Sequence, residues 1–126
     1  MEDILQEKRK CHRYQLPVNV DAVIGDRLIK STARDISCAG LFLTTRSNLQ
    51  VDSEACVVVS LPGRHLPIKL KGKSVRVELD GVAVQFHGIS PYFVENLSEE
   101  LERAAVHLQF GGSLPLPRTE NLVFRP

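Results

Sequence analysis

The chain has 126 residues, which is enough for one domain and too few for two. Its 43% hydrophobic and 25% charged residues are typical of a globular protein and exclude a disordered or collagen-like chain. No run approaches the roughly 18 apolar residues of a membrane span. The acidic start, Met1 to Leu5, lacks the basic and apolar regions of a secretory signal. We therefore expect a cytoplasmic protein that does not insert into membranes.

The net charge is +1, so bulk electrostatics would not draw this chain onto DNA or an anionic membrane. Binding of an anion must then depend on local clusters of charge. The three cysteines, Cys11, Cys38 and Cys56, are odd in number and show no zinc-binding spacing. Reduced thiols, no bound metal and no cofactor are the expectation.

Apolar residues alternate with polar ones from Leu16 to Ile24, which predicts a first β-strand. Gly25-Asp26 and Asp80-Gly81 predict the turns of two β-hairpins. Gly40 suggests a backbone angle that a Cβ would hinder. In the long fifth strand the apolar parity changes, which predicts a β-bulge near Gly72 to Ser74. The remaining strands are predicted over 27–36, 41–45, 55–61, 66–79 and 82–86.

The pattern then changes to a helical period. Ser90-Pro91 is an N-cap followed by a first-turn proline, and Gly111-Gly112 is expected to end the helix. The apolar face is formed by Phe93, Leu97, Leu101, Ala104, Ala105 and Leu108. The prediction is a small six-stranded antiparallel β-barrel with a C-terminal α-helix. It comprises a flexible N-terminal arm over 1–13, the barrel and helix over 14–110, and a proline-containing tail over 111–126.

Two short segments carry the chemistry that the sequence offers. Arg9 and Arg13 stand four residues apart in a cationic arm, and Asp35, Ser37 and Gly40 follow at a strand–turn junction. Guanidinium groups bind phosphate oxygens or guanine edges, and they stack on bases. A carboxylate accepts hydrogen bonds from guanine, a serine hydroxyl can donate to a phosphate, and glycine permits close approach. A ligand with both phosphates and guanines would suit this pair of segments.

These motifs, Arg9-x-x-x-Arg13 and Asp35-x-Ser37-x-x-Gly40, resemble those of the PilZ domain family. Gly81-Val82-Ala83-Val84-Gln85-Phe86 is similar to the family's G-x-G-V-x-F strand, with Ala83 in place of its second glycine. The resemblance implies a bacterial receptor for cyclic di-GMP without catalytic activity, and the sequence also lacks recognisable catalytic motifs. The five motif residues would then bind the ligand, and Lys8 and Lys10 would add auxiliary phosphate contacts.

Simpler interpretations exist for the same residues. Arg9 and Arg13 also fit a solvated basic terminus, Asp35 and Ser37 an ordinary side-chain-stabilised turn, and Cys38 a structural thiol. The row Lys69, Lys71 and Lys73 could steer an anionic ligand or contact nucleic acid, although a solvated face is more usual. The lack of interleaved aromatic residues argues against nucleic acid.

The receptor hypothesis predicts that the ligand orders residues 7–13 against the barrel and changes a surface read by a downstream protein. A ligand-independent protein–protein adaptor on the same fold is the alternative. The chain would act as a monomer or a homodimer.

Overall fold

The computed structural model describes residues 11–16 and 18–108. Six strands form a closed antiparallel barrel in the order β1-β2-β3-β6-β5-β4, followed by one helix, α1. The predicted architecture is confirmed. The elements are β1 (Val18–Ile24), β2 (Arg27–Ile36), β3 (Gly40–Thr44), β4 (Glu54–Ser60), β5 (Ile68–Glu78), β6 (Gly81–Phe86) and α1 (Pro91–Val106).

The core fills the barrel because inward positions on the strands are apolar and alternate with polar ones. In β1 every second residue is buried, and the strand ends at Ile24, before Gly25, whose φ of 62° suits the turn into β2. Inward residues of the other strands complete the interior, including Ile36, Leu43, Val57 and Val82, each at most 1% exposed. The alternation visible in the sequence therefore sets which side of each strand faces the core.

Helix α1 covers one end of this core. Its N-cap is Ser90, whose Oγ accepts a hydrogen bond from the Phe93 amide at 3.2 Å, as predicted. Leu97, Leu101 and Ala104 are buried, whereas Phe93, at the helix start, is 36% exposed. The predicted apolar face is therefore confirmed in its middle, whereas Phe93 at its beginning and Leu108, just beyond the helix, are exposed. No helix within the described residues is long and apolar enough to cross a membrane.

Two sequence predictions about the strands need correction. The β5 bulge lies between Ser74 and Arg76, just after the predicted position, because Ser74 still points inward and is fully buried. Gly40 does not have a positive φ; instead, an added Cβ would strike the Val84 carbonyl oxygen on β6. Glycine is needed there for close approach of two strands rather than for a special backbone angle.

Several predictions fall on residues outside the described part of the chain. These are the arm as far as residue 10, the tail over 111–126, and the helix end at Gly111-Gly112.

Candidate functional site

Two β-bulges shape the outer face of the barrel where β2, β3, β6 and β5 lie side by side. In β2 the register shifts between Ala33 and Asp35, so Arg34 and Asp35 both lie on the outer face. In β5 the shift between Ser74 and Arg76 does the same for Val75 and Arg76. Bulges of this kind re-aim side chains and are common beside functional sites. Here they bring two arginines and a carboxylate onto one face.

A row of cross-strand neighbours links the two bulges. Arg76 lies opposite Ala83, Ala83 opposite Phe42, and Phe42 opposite Asp35. Because Ala83 carries only a methyl group between two large neighbours, the sheet surface is concave at this point. Ala83, which stands in place of the second glycine of the family's strand motif, therefore forms the floor of the depression.

The two predicted motifs meet at Asp35. Its Oδ1 accepts a hydrogen bond from Arg13 Nη1 at 2.5 Å, and its Oδ2 lies 3.5 Å from Arg34 Nε. The Arg34 guanidinium also lies over the Phe42 ring, 3.7 Å from the centroid. Planar guanidinium groups bind carboxylates through charge-assisted hydrogen bonds and stack on aromatic faces. An ion pair between Arg13 and Asp35 thus links the end of the arm to the strand–turn junction.

These residues border a groove of about 480 Å³, a volume in the range of small-molecule sites. The residues that line the groove include three arginines and one carboxylate, a net charge of +2, and Glu78 beside the groove pairs with Arg76 at 2.7 Å. An anionic ligand with phosphodiester groups would suit this lining. The groove is lined by Arg13, Arg34, Asp35, Ala39, Gly40, Leu41, Phe42, Val75, Arg76, Ala83, Val84 and Gln85.

Ser37 has a structural role in this conformation. It is 2% exposed, its Oγ donates to the Gly40 carbonyl at 3.4 Å, and it accepts from the Ala39 amide at 3.1 Å. The hydroxyl therefore stabilises the turn that carries Ala39 and Gly40 to the groove, as the simpler interpretation expected. Contact between Ser37 and a ligand stays a prediction.

The cysteine prediction was wrong for two of the three residues. Cys11 and Cys38 form a disulfide, with their Cα atoms 5.1 Å apart, whereas Cys56 on β4 is free. Sequence spacing could not show this pairing, because 27 residues separate the two cysteines. An antiparallel bridge between Tyr14 and Ile36 brings the two segments together. Cys38 is buried.

Tyr14 anchors the chain immediately after Arg13. Its amide donates to the Ile36 carbonyl at 2.8 Å, and its carbonyl accepts from the Ile36 amide at 2.9 Å. The half-buried ring packs on the core and lines a second groove with residues of α1. Burial, and secondly the negative charge of Glu102, raise the pKa of Tyr14 above its usual value of 10.0. Arg13 therefore borders the candidate site, and its neighbour Tyr14 lines the groove beside the helix.

The structure brings together three of the five predicted site residues around one groove: Arg13, Asp35 and Gly40. Ser37 lies beneath them, and Arg9, with Lys8 and Lys10, lies outside the described residues. Sequence reasoning missed the contributions of Arg34, Phe42, Arg76 and Gln85 to the groove. Arg34 could have been suspected because it adjoins Asp35, but the others depend on strand register.

Comparisons with known proteins agree with this description. The model of the PilZ domain family matches residues 7–103. No curated protein matches the sequence. Among solved structures, the Bacillus subtilis inhibitor of motility (MotI/DgrA) is 13% identical with a TM-score of 0.60, and the match covers 77% of this chain and 51% of that one. This chain therefore spans about half of that protein.

The PilZ domain of CeSA from a cellulose-synthesizing bacterium is 16% identical with a TM-score of 0.52, and the match covers 82% of this chain and 99% of that one. At such identities the two structures establish the shared fold alone. The family model, in contrast, extends over most of the sequence, including the Arg9–Arg13 motif and the Asp35–Gly40 motif. The chain belongs to the PilZ domain family, whose known role is reception of cyclic di-GMP.

Proposed function

We propose that this chain is a non-enzymatic receptor for cyclic di-GMP, which binds in the groove between the two bulges and signals to a partner protein. The observation that carries the proposal is the meeting of Arg13 and Asp35, one from each family motif, at the edge of a cationic groove. The proposal places the protein in the bacterial cytoplasm, where this second messenger acts.

Each group in the groove has a chemical match in the ligand. The guanidinium groups of Arg13 and Arg76 can form bidentate hydrogen bonds with phosphodiester oxygens or with guanine O6 and N7. Asp35 can accept hydrogen bonds from guanine N1–H and N2–H. Arg34 rests with one face on Phe42, and its side chain is 48% exposed, so a base can stack on the other face. We include Arg9 and Ser37 as further contacts, with Lys8 and Lys10 as auxiliary ones, on the strength of the family motifs.

The lysine row of β5 leads toward the same groove. Lys69 and Lys71 are exposed, and Lys73 lies across from Gln85, which lines the groove. A row of positive charge beside a cationic site raises the local concentration of an anionic ligand. Steering of the ligand is therefore a better role for the row than contact with nucleic acid.

Arg13 and Tyr14 provide a route from ligand to partner. Binding of the ligand would draw Arg13 away from Asp35 and disturb its neighbour Tyr14, which also lines the groove beside α1. That second groove contains exposed Tyr92 and the carboxylates Glu95 and Glu99. A change in the position of Tyr14 would alter a surface that is both aromatic and acidic, which a partner protein could recognise.

Isothermal titration calorimetry with cyclic di-GMP tests the receptor proposal. We expect saturable heat for the wild type, none for Arg13→Ala, and an unchanged isotherm for Arg27→Ala, a control arginine outside the groove. GMP, which has one guanine and a phosphomonoester but no phosphodiester, serves as a control ligand. A well-folded wild type that gives no heat would overturn the proposal, and a ligand-independent adaptor would then be the better interpretation.

Amide chemical shifts test the route to the partner. Saturation with cyclic di-GMP should shift the resonances of Tyr14 and of Ser98, which lines the second groove. Residues of the distant β1–β2 turn, such as Asp26, should not shift. Shifts confined to the ligand groove would show that the signal does not pass through Tyr14.

A further inference from the structure

We propose that the Cys11–Cys38 bond is a reversible thiol–disulfide site that sets the affinity of the neighbouring groove for cyclic di-GMP. This inference rests on the proposed function and adds a second input, the redox state, to the same site. Neither the family motifs nor the comparisons assign a role to these two cysteines.

The bond joins the two segments from which the candidate site is built. Cys11 lies two residues before Arg13, and Cys38 lies within the turn between Ser37 and Gly40. The Tyr14–Ile36 bridge is the second attachment between the same segments. Arg13 is therefore held between two fixed points, a covalent one on one side and a hydrogen-bonded one on the other.

The two sulfur atoms differ in accessibility, so a reductant is expected to attack one of them first. Cys38 is 2% exposed, whereas Cys11 is only partly buried and has the cations Lys10 and Arg13 near it in the sequence. Positive charge attracts an anionic thiolate. We therefore expect a dithiol reductant to attack Sγ of Cys11.

The reaction balances as an ordinary thiol–disulfide exchange. The attacking thiolate forms a mixed disulfide with Cys11 and releases the Cys38 thiolate, which takes up a proton. The second thiol of the reductant loses its proton and displaces Cys11, which is protonated in turn. The protein gains two electrons and two protons, and the dithiol leaves as a disulfide. Re-formation of the bond returns the two electrons to an oxidised dithiol or to a peroxide.

Opening the bond should weaken binding because it removes preorganisation. Without the covalent attachment, the chain before Tyr14 gains backbone freedom, and Arg13 lies one residue from the remaining attachment. Ligand binding must then order this segment, at a cost comparable to fixing about one residue of backbone. We expect the Kd of the reduced protein to be about tenfold higher than that of the oxidised protein.

The experiment compares the full chain in two redox states. Calorimetry with cyclic di-GMP is performed on protein whose disulfide is confirmed by mass and on protein kept reduced with dithiothreitol. Circular dichroism verifies the fold in both states. Cys11→Ser should bind as weakly as the reduced wild type under both conditions. Cys56→Ser, which removes the free cysteine on β4, is the matched control and should keep the tenfold difference.

The outcomes separate this inference from the function on which it rests. Equal affinity in the two states, or a redox effect that persists in Cys11→Ser, would overturn the redox inference and leave the receptor intact. Loss of the fold on reduction would assign the bond to stability alone and would also overturn the inference. Absence of binding in both states would overturn the proposed function and the inference with it.

Discussion

Gly40 is the position where a single methyl group should be most damaging to this site. It lies opposite Gln85 in the β3–β6 pair. A Cβ there would be 3.2 Å from the Gln85 Cα and closer than 3.0 Å to the Val84 carbonyl oxygen. Both neighbours are backbone atoms, so no flexible side chain can move aside. In Gly40→Ala the two strands must separate locally by roughly 1 Å.

The expected cost follows from that separation. Lengthening one or two backbone hydrogen bonds of the pair forfeits about 0.5–1.5 kcal/mol each, and overpacking adds about 1–3 kcal/mol. We therefore expect Gly40→Ala to lower the free energy of unfolding by about 1.5–6 kcal/mol, a large fraction of the stability of a small domain. Urea unfolding followed by circular dichroism measures this change. Cyclic di-GMP affinity should fall as well, because Gly40 and Gln85 both line the groove.

Gly88→Ala provides the control. It adds the same methyl group where nothing lies within 4 Å, but at a φ of +71°, so its cost is conformational and about 1 kcal/mol. Gly88 also lies outside the groove around Asp35. A smaller loss of stability for Gly40→Ala than for Gly88→Ala would refute the steric argument.

Three other substitutions probe the site and the core. Asp35→Asn should raise the Kd for cyclic di-GMP at least tenfold in calorimetry, but change the free energy of unfolding by less than about 1 kcal/mol, because its partner Arg13 is exposed. Arg76→Ala should weaken binding about three- to tenfold and reduce its salt dependence, whereas Arg27→Ala should change neither. Leu101→Ala, at a fully buried position, should cost about 2–5 kcal/mol in urea unfolding; a loss below 1 kcal/mol would place α1 outside the core.

Much of the fold could be predicted because its signals are local. The Gly25-Asp26 turn and the alternation on each side of it indicate the first hairpin, and Ser90-Pro91 indicates where the helix begins. Turn chemistry and capping act over two to four residues, so one sequence is sufficient to recognise them. The motif residues of the site were recognised for a different reason, since their spacing resembles that of a family.

The rest of the groove depends on contacts between strands that are distant in sequence. Whether Arg76 can reach a ligand held by Asp35 depends on two bulges and on the register across four strands. A one-residue shift of β5 on β6 would turn Arg76 toward the core, and a one-residue shift of β2 on β3 would do the same to Asp35. The predicted bulge near Gly72 to Ser74 would have turned Val75 inward, whereas the observed bulge between Ser74 and Arg76 leaves Val75 on the outer face, where it lines the groove. Residues added to a site by strand register are therefore the ones that a family motif does not reveal, and here they include Arg76, one of the three arginines in the groove.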